Sequence, residues 1–229
     1  MLRIPSLALA VGCLALSAAS VEAQDLSRYR TFQLGMTVAA VTEEARVPAT
    51  GVRLVHQRPQ LMQEFDWFPP EQQAAGAPEA VRVVSFAFYG DRLYQITVGY
   101  HRQRIEGLTA EDLVEAISST YGTPILVSSG IGTRRAVAFE GDNDRTVVAE
   151  WRDPQYSVSL VQTGYPSGFE LLLVARQPEG MANSARLEAS RLDVLEAPEL
   201  EVSRQRKQAE ADRAKTEKAR LANKLVFRF

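Results

Sequence analysis

Few residues in this chain have the type and spacing needed for catalysis or metal binding. His56 and His101 are its two histidines, the side chains that titrate nearest neutral pH. Each lies close to an arginine, Arg58 and Arg102, and beside strand-like sequence. Neither belongs to a ligand pattern such as two histidines on one helical face, so each reads as a surface or strand-end histidine. A serine hydrolase needs a strained Gly-x-Ser-x-Gly turn. The nearest strings, Ser128-Ser129-Gly130-Ile131-Gly132 and Pro166-Ser167-Gly168, lack that order and read as loops. Asp142-Asn143-Asp144 offers oxygens, but Arg145 and Thr146 follow where a calcium loop would place its later ligands. The triplet reads as a hairpin turn. Glu64, Asp66, Glu140 and Glu150 fall in strand-like sequence, and a carboxylate pair for glycoside hydrolysis would be set by the fold, not by spacing. Trp67, Phe68 and Trp151 read as core or sheet-edge aromatics, with a ligand groove as the alternative. The sequence assigns no catalytic residue, no cofactor site and no metal site.

Two short segments show how the chain would position such groups. Gly35-Met36-Thr37 is followed by Val41, and Gly107-Leu108-Thr109, 72 residues later, by Leu113. Glycine breaks the incoming chain, threonine offers an N-cap, and the apolar residue before it can staple to the one four places after it. Asp112 completes an approximate capping box at Thr109, whereas Ala40 occupies that place after Thr37. Helices are expected over 38–46 and 110–121, the second carrying Leu113, Ala116, Ile117 and Tyr121 on one stripe and stopped by Gly122 and Pro124.

Strand sequence follows each helix. In the first unit it covers 52–57, 61–68, 81–89 and 93–100, with a polar loop at 69–80 and a turn at Gly90-Asp91. In the second it covers 125–128, 134–140, 146–152, 156–163 and 169–176. The expected fold is α+β: two consecutive helix-plus-antiparallel-sheet units, 24–105 and 106–178, each helix lying on its own open sheet. Together they approach about 155 residues, enough to bury roughly two thirds of their surface in one core.

At the N-terminus Arg3 precedes an apolar run from Leu7 to Ala19, and Val21-Glu22-Ala23 ends in a small residue. This pattern reads as a signal peptide, residues 1–23. The run is shorter than the roughly 20 residues that span a bilayer, and the expected mature chain has no transmembrane segment. Cys13 is the single cysteine. Apolar sequence continues past it through Leu14, Ala15 and Leu16, which reads against lipidation there. Loss of the leader would leave no cysteine for a disulfide, a nucleophile or a zinc site. The chain carries 26 Lys+Arg against 28 Asp+Glu, a net charge of −2, and such a balance holds no polyanion, which argues against nucleic acid as partner.

Composition changes after Gly180. Asn183 or Ser184 is positioned to cap a helix, 179–198, packed on the domain through Ala185, Ala189, Leu192 and Leu195, with Pro198 breaking or kinking it. Residues 199–229 form a charged helical or partly disordered tail: five acidic and seven basic residues occur between Glu199 and Arg220. No heptad of Leu or Ile is present, which reads against a self-associating coiled coil. The final Leu225-Val226-Phe227-Arg228-Phe229 alternates and reads as a short pairing tail.

The string Phe32-Gln33-Leu34-Gly35-Met36-Thr37-x-x-x-Val41 resembles the opening of two groups of exported bacterial proteins. One is the small outer-membrane assembly lipoproteins of the SmpA/OmlA type; the other is the β-lactamase inhibitor protein fold, whose tandem helix-plus-sheet order is the closer. The resemblance spans roughly Tyr29 to Gln177 and implies that fold. Three functional readings stay open. The chain is a periplasmic or secreted non-enzymatic module binding another envelope protein, a carboxylate-dependent hydrolase of envelope material, or a lipidated outer-membrane assembly factor. Its oligomeric state is not readable from the sequence.

Overall fold

The computed structural model describes residues 25–70, 79–126, 145–164 and 168–226. A two-residue hairpin, β1 (Arg28–Tyr29) and β2 (Phe32–Gln33), precedes helix α1 (Val38–Glu44). Four strands follow: β3 (Arg53–His56), β4 (Met62–Trp67), β5 (Val81–Tyr89) and β6 (Arg92–Tyr100). A short helix α2 (Arg102–Ile105) leads to α3 (Ala110–Tyr121), then β7 (Ile125–Leu126), β8 (Arg145–Arg152), β9 (Tyr156–Thr163) and β10 (Gly168–Ala175). Helix α4 (Arg176–Val226) closes the described chain. The fold is α+β, with two consecutive helix-plus-antiparallel-strand units ahead of a long C-terminal helix.

The two repeated segments adopt matching backbone. Gly35 and Gly107 both have positive φ, +93° and +81°, a region where a side chain is disfavoured. Thr37 and Thr109 both cap their helices, each accepting from the backbone N–H three residues on. At Thr109 the box is complete, because Asp112 accepts from the Thr109 N–H at 2.8 Å. The first helix lacks that acid and takes a substitute from the β5–β6 turn: Asp91 Oδ1 accepts from the Val38 N–H at 3.2 Å. Gly90 and Asp91 both have positive φ there, as a tight two-residue hairpin loop demands.

Instead of two separate sheets, one eight-stranded antiparallel sheet forms, in the order β3-β4-β5-β6-β10-β9-β8-β7. The last strands of the two units, β6 and β10, pair with each other, Val98 opposite Leu171 and Ile96 opposite Leu173. The expectation of a sheet for each helix is thereby corrected. Each unit ends in a long strand whose free edge would expose unpaired backbone, and joining the two edges satisfies both.

One face of this sheet carries the core. Phe86 stacks on Phe65 with centroids 5.4 Å apart, and Phe32 from the hairpin meets Phe86 at 4.6 Å and Trp67 at 5.2 Å. Val41 of α1 and Leu113 and Tyr121 of α3 belong to the same buried cluster. Trp151 completes it on β8, its indole N–H donating to the Gly122 carbonyl at 2.8 Å. That bond ties the end of α3 to the sheet.

Helix α4 begins directly after β10, at Arg176, well before Asn183 and Ser184. Pro178 falls in its first turn, where a missing N–H costs nothing. Its body-facing side is made of small residues: Ala182, Ala185 and Ala189 are buried. Leu195 is 60 % exposed, so the packed stretch ends earlier than the expected apolar side. The helix runs through Pro198 without interruption, and every described residue from Ala197 to Val226 is exposed. Leu225 and Val226 are helical, not part of a pairing strand. At about 1.5 Å per residue the arm beyond Pro198 reaches on the order of 40 Å.

Candidate functional site

The second face of the sheet holds the charged residues. Strand alternation and the observed register place Glu64 opposite Ala87, Asp66 opposite Ser85, and Ser85 opposite Thr97 on this face. Gly99 faces Glu170 across the β6–β10 seam. The first turns of α4 lie on the same face near the β5–β6 turn, where Tyr89, Met181 and Ala185 line one open hollow. Beside α4 the face opens into a groove of about 230 Å³ that crosses the seam between the units.

Two bulges aim side chains into this region. The β5–β6 register shifts by one residue between Val81 and Val83, and again between Ala87 and Phe88. The extra residues are Arg82 on β5 and Tyr94 on β6. A bulge turns a strand residue away from its alternating face. Arg82 lines the groove, over a floor left open by Gly99.

The charges are arranged in pairs. Arg53 lies 3.4 Å from Asp66 and 3.7 Å from Glu64. Asp66 also accepts from the Ser85 hydroxyl at 2.6 Å. Arg145 of the second unit meets Glu170 at 3.0 Å. Arg186, reaching down from α4, donates to the Tyr94 hydroxyl at 2.6 Å and stands 3.9 Å from Glu64. Burial raises the Tyr94 pKa, with Arg186 acting in the opposite direction, so this phenol stays a neutral acceptor. Exposed pairs of this kind contribute at most about 1 kcal/mol each. Their effect is to hold six charged side chains in place. Among the described residues, Arg82 makes no ion pair.

The candidates from the sequence separate on this map. Glu64 and Asp66 line the groove; Glu150 lies farther along the sheet, 3.7 Å from Arg152; Glu140 is outside the described residues. Trp151 is buried core and Trp67 packs on Phe32, while Phe68 is exposed. His56 ends β3 and His101 precedes α2. Ser128–Gly132, Pro166-Ser167 and Asp142–Asp144 are outside the described residues, as are strand 134–140 and residues 1–24. The described residues contain no group of three or more His, Cys, Asp or Glu placed to hold a metal ion. They contain no helix long and apolar enough to cross a membrane.

Arg53, Arg82 and Arg145 were not singled out by the sequence. Arginine in a strand carries no pattern of its own, and a bulge is invisible before pairing is known. One signal was present. Gly99 interrupts the apolar strand 93–100, and an isolated strand glycine marks a bulge or a close approach.

A second polar cluster lies at the opposite end of the core. Glu79, 4 % exposed, accepts from Arg30 at 2.9 and 3.2 Å and from the Val81 N–H at 2.9 Å. Tyr29 lies within electrostatic reach of both members of this pair and Tyr100 within reach of Arg30, while Tyr121 couples to Tyr29. Its geometry is that of a satisfied ion pair with Glu79 buried and Arg30 half-buried, which holds structure together.

Fold and groove together define the chain as an α+β protein of two fused units with an open, charged groove at their seam. No family model matches the chain, and neither curated proteins nor solved structures yield a match.

Proposed function

We propose that the chain is an exported, non-enzymatic binding module of the cell envelope, and that the groove face of its sheet receives a partner protein. The observation that carries this reading is the groove itself, shallow, lined by fixed arginine–carboxylate pairs and placed where the two units meet. A serine hydroxyl spent on Asp66 and carboxylates spent on Arg53 suit recognition better than proton transfer. The leader pattern at residues 1–23 supports export, and the resemblance at Phe32–Val41 supports an envelope-binding fold. The arm beyond Pro198 supplies a second contact surface.

The test is cross-linking in the native envelope followed by recovery of partners, with the full chain and with residues 199–229 removed. Recovery of one partner from both chains supports the sheet face as the primary surface. Its loss on truncation assigns the contact to the arm. Mass measurement of the mature chain tests export: a start at Gln24 is expected, and a start at acylated Cys13 would indicate a lipidated assembly factor.

A hydrolase reading rests on Glu64 and Asp66 facing one groove. Glu64→Gln and Asp66→Asn would each abolish breakdown of envelope polysaccharide if it held. On the binding reading neither substitution alters any such activity.

A further inference from the structure

We propose that the groove is a carboxylate-binding site anchored by Arg82, and that its occupant is one acidic side chain of the partner protein crossing this face. The inference rests on the protein-binding reading above and names what the groove would hold.

Arg82 is placed by two features of the backbone. The bulge between Val81 and Val83 turns it onto the groove face. Gly99 then leaves it room: a Cβ built at Gly99 would lie 3.3 Å from Arg82 Nη2 and 3.1 Å from Val83 Cγ1. A side chain at 99 would press on the guanidinium and on the Val83 side chain, which would have to shift to make room.

Charge balance selects the occupant. The lining holds Arg53, Arg82 and Arg145 against Glu64, Asp66 and Glu170. At the rim Arg186 stands 3.9 Å from Glu64, and Glu179 also acts on the neighbouring Tyr94. Arg53 and Arg145 already face carboxylates, which leaves the fork of Arg82 for a planar, bidentate anion. One carboxylate pairs with Arg82 while Arg53 and Arg145 keep the partners they have. A phosphate dianion would bring twice that charge to a lining that already holds three carboxylates. The Thr97 hydroxyl accepts from Gln95 at 3.2 Å, and its own proton is then available to the ligand.

Size selects the source. The groove measures about 230 Å³, below the roughly 300–1,000 Å³ typical of small-molecule sites. One or two side chains of a docked protein fill that space.

The test uses the full mature chain, nitrogen-labelled, with the arginine Nε–Hε resonances followed by NMR. The probes are acetyl-glutamate amide, acetyl-glutamine amide and inorganic phosphate. Arg102 and Arg104, exposed arginines on α2 with no ion pair among the described residues, serve as internal references. Arg82 is expected to saturate with the glutamate probe at a concentration about tenfold below either reference, and to ignore the glutamine probe. Arg82→Lys keeps the charge and should lose that preference; Gly99→Ala should weaken it without unfolding the chain. A response at Arg82 no earlier than at Arg102 and Arg104 overturns the proposal. Tighter binding of phosphate than of the glutamate probe also overturns it, in favour of a free anion. If Arg82 fails to respond while this face still cross-links to a protein, the carboxylate assignment falls and the binding reading stands. A response without any cross-link removes the protein as its source.

Discussion

The Tyr121 hydroxyl donates a 2.8 Å hydrogen bond to the carbonyl of Arg28, 93 residues earlier in the chain. Tyr121 ends the helix of the second unit, and Arg28 opens the hairpin of the first. The units are therefore locked twice, once through β6–β10 and once across the core face. Tyr121→Phe should destabilise the protein by about 1 kcal/mol, the usual value of one buried hydrogen bond. Urea unfolding checks this; an unchanged midpoint would mean that the contact locks nothing.

The same tyrosine belongs to a cluster that sets an alkaline limit. Burial pushes the Tyr29 phenol up from 10.0 to about 12, and burial raises Tyr100 and Tyr121 further. The folded state holds these protons more tightly than the unfolded chain. Their contribution is thus complete below about pH 10 and is lost as pH rises through the folded values. Stability should fall steeply between roughly pH 10 and 12, with part of the phenolate absorbance appearing together with unfolding. Titration of all tyrosines in one step before structure is lost would contradict this.

Thr109→Ala removes the hydroxyl acceptor of a complete capping box and should cost about 1 kcal/mol. Thr109→Ser keeps that acceptor and should recover most of the loss. Thermal unfolding of the two variants distinguishes a capping role from loss of the threonine methyl, which would leave both equally destabilised.

Removing residues 199–226 should leave the melting of the body unchanged within about 0.5 kcal/mol, since every one of them is exposed. The i,i+3 pairs such as Glu217–Arg220 stabilise the arm itself by tenths of a kcal/mol. Circular dichroism should lose helical signal in proportion to the residues removed. A drop in body stability would show that the arm folds back onto the sheet.

Local chemistry made much of this fold legible. Thr109 and Gly122 mark the ends of α3, and β5 and β9 cover the residues that strand-like sequence marks, 81–89 and 156–163. What escaped was either too short or too distant. The β1–β2 hairpin and α2 span too few residues for periodicity to register. The β6–β10 seam joins residues such as Ile96 and Leu173, and no local pattern says which open edges will meet. The start of α4 was missed because Pro178 and Gly180 look like helix breakers, although proline is tolerated in a first turn. At the site, Glu64 and Asp66 were visible as strand carboxylates, but their arginine partners come from β3 and α4. Pairing across that distance is a property of the assembled sheet.

Contact between the groove face and a protein can be tested directly. Photo-reactive residues placed at Arg53 and Arg152, on strands of that face, would be compared in the native envelope with Glu111 and Glu115 on the exposed side of α3. The first two positions are expected to capture one common protein, and Arg82→Glu is expected to abolish the capture. Equal capture from the α3 positions, or capture insensitive to Arg82→Glu, would contradict that contact.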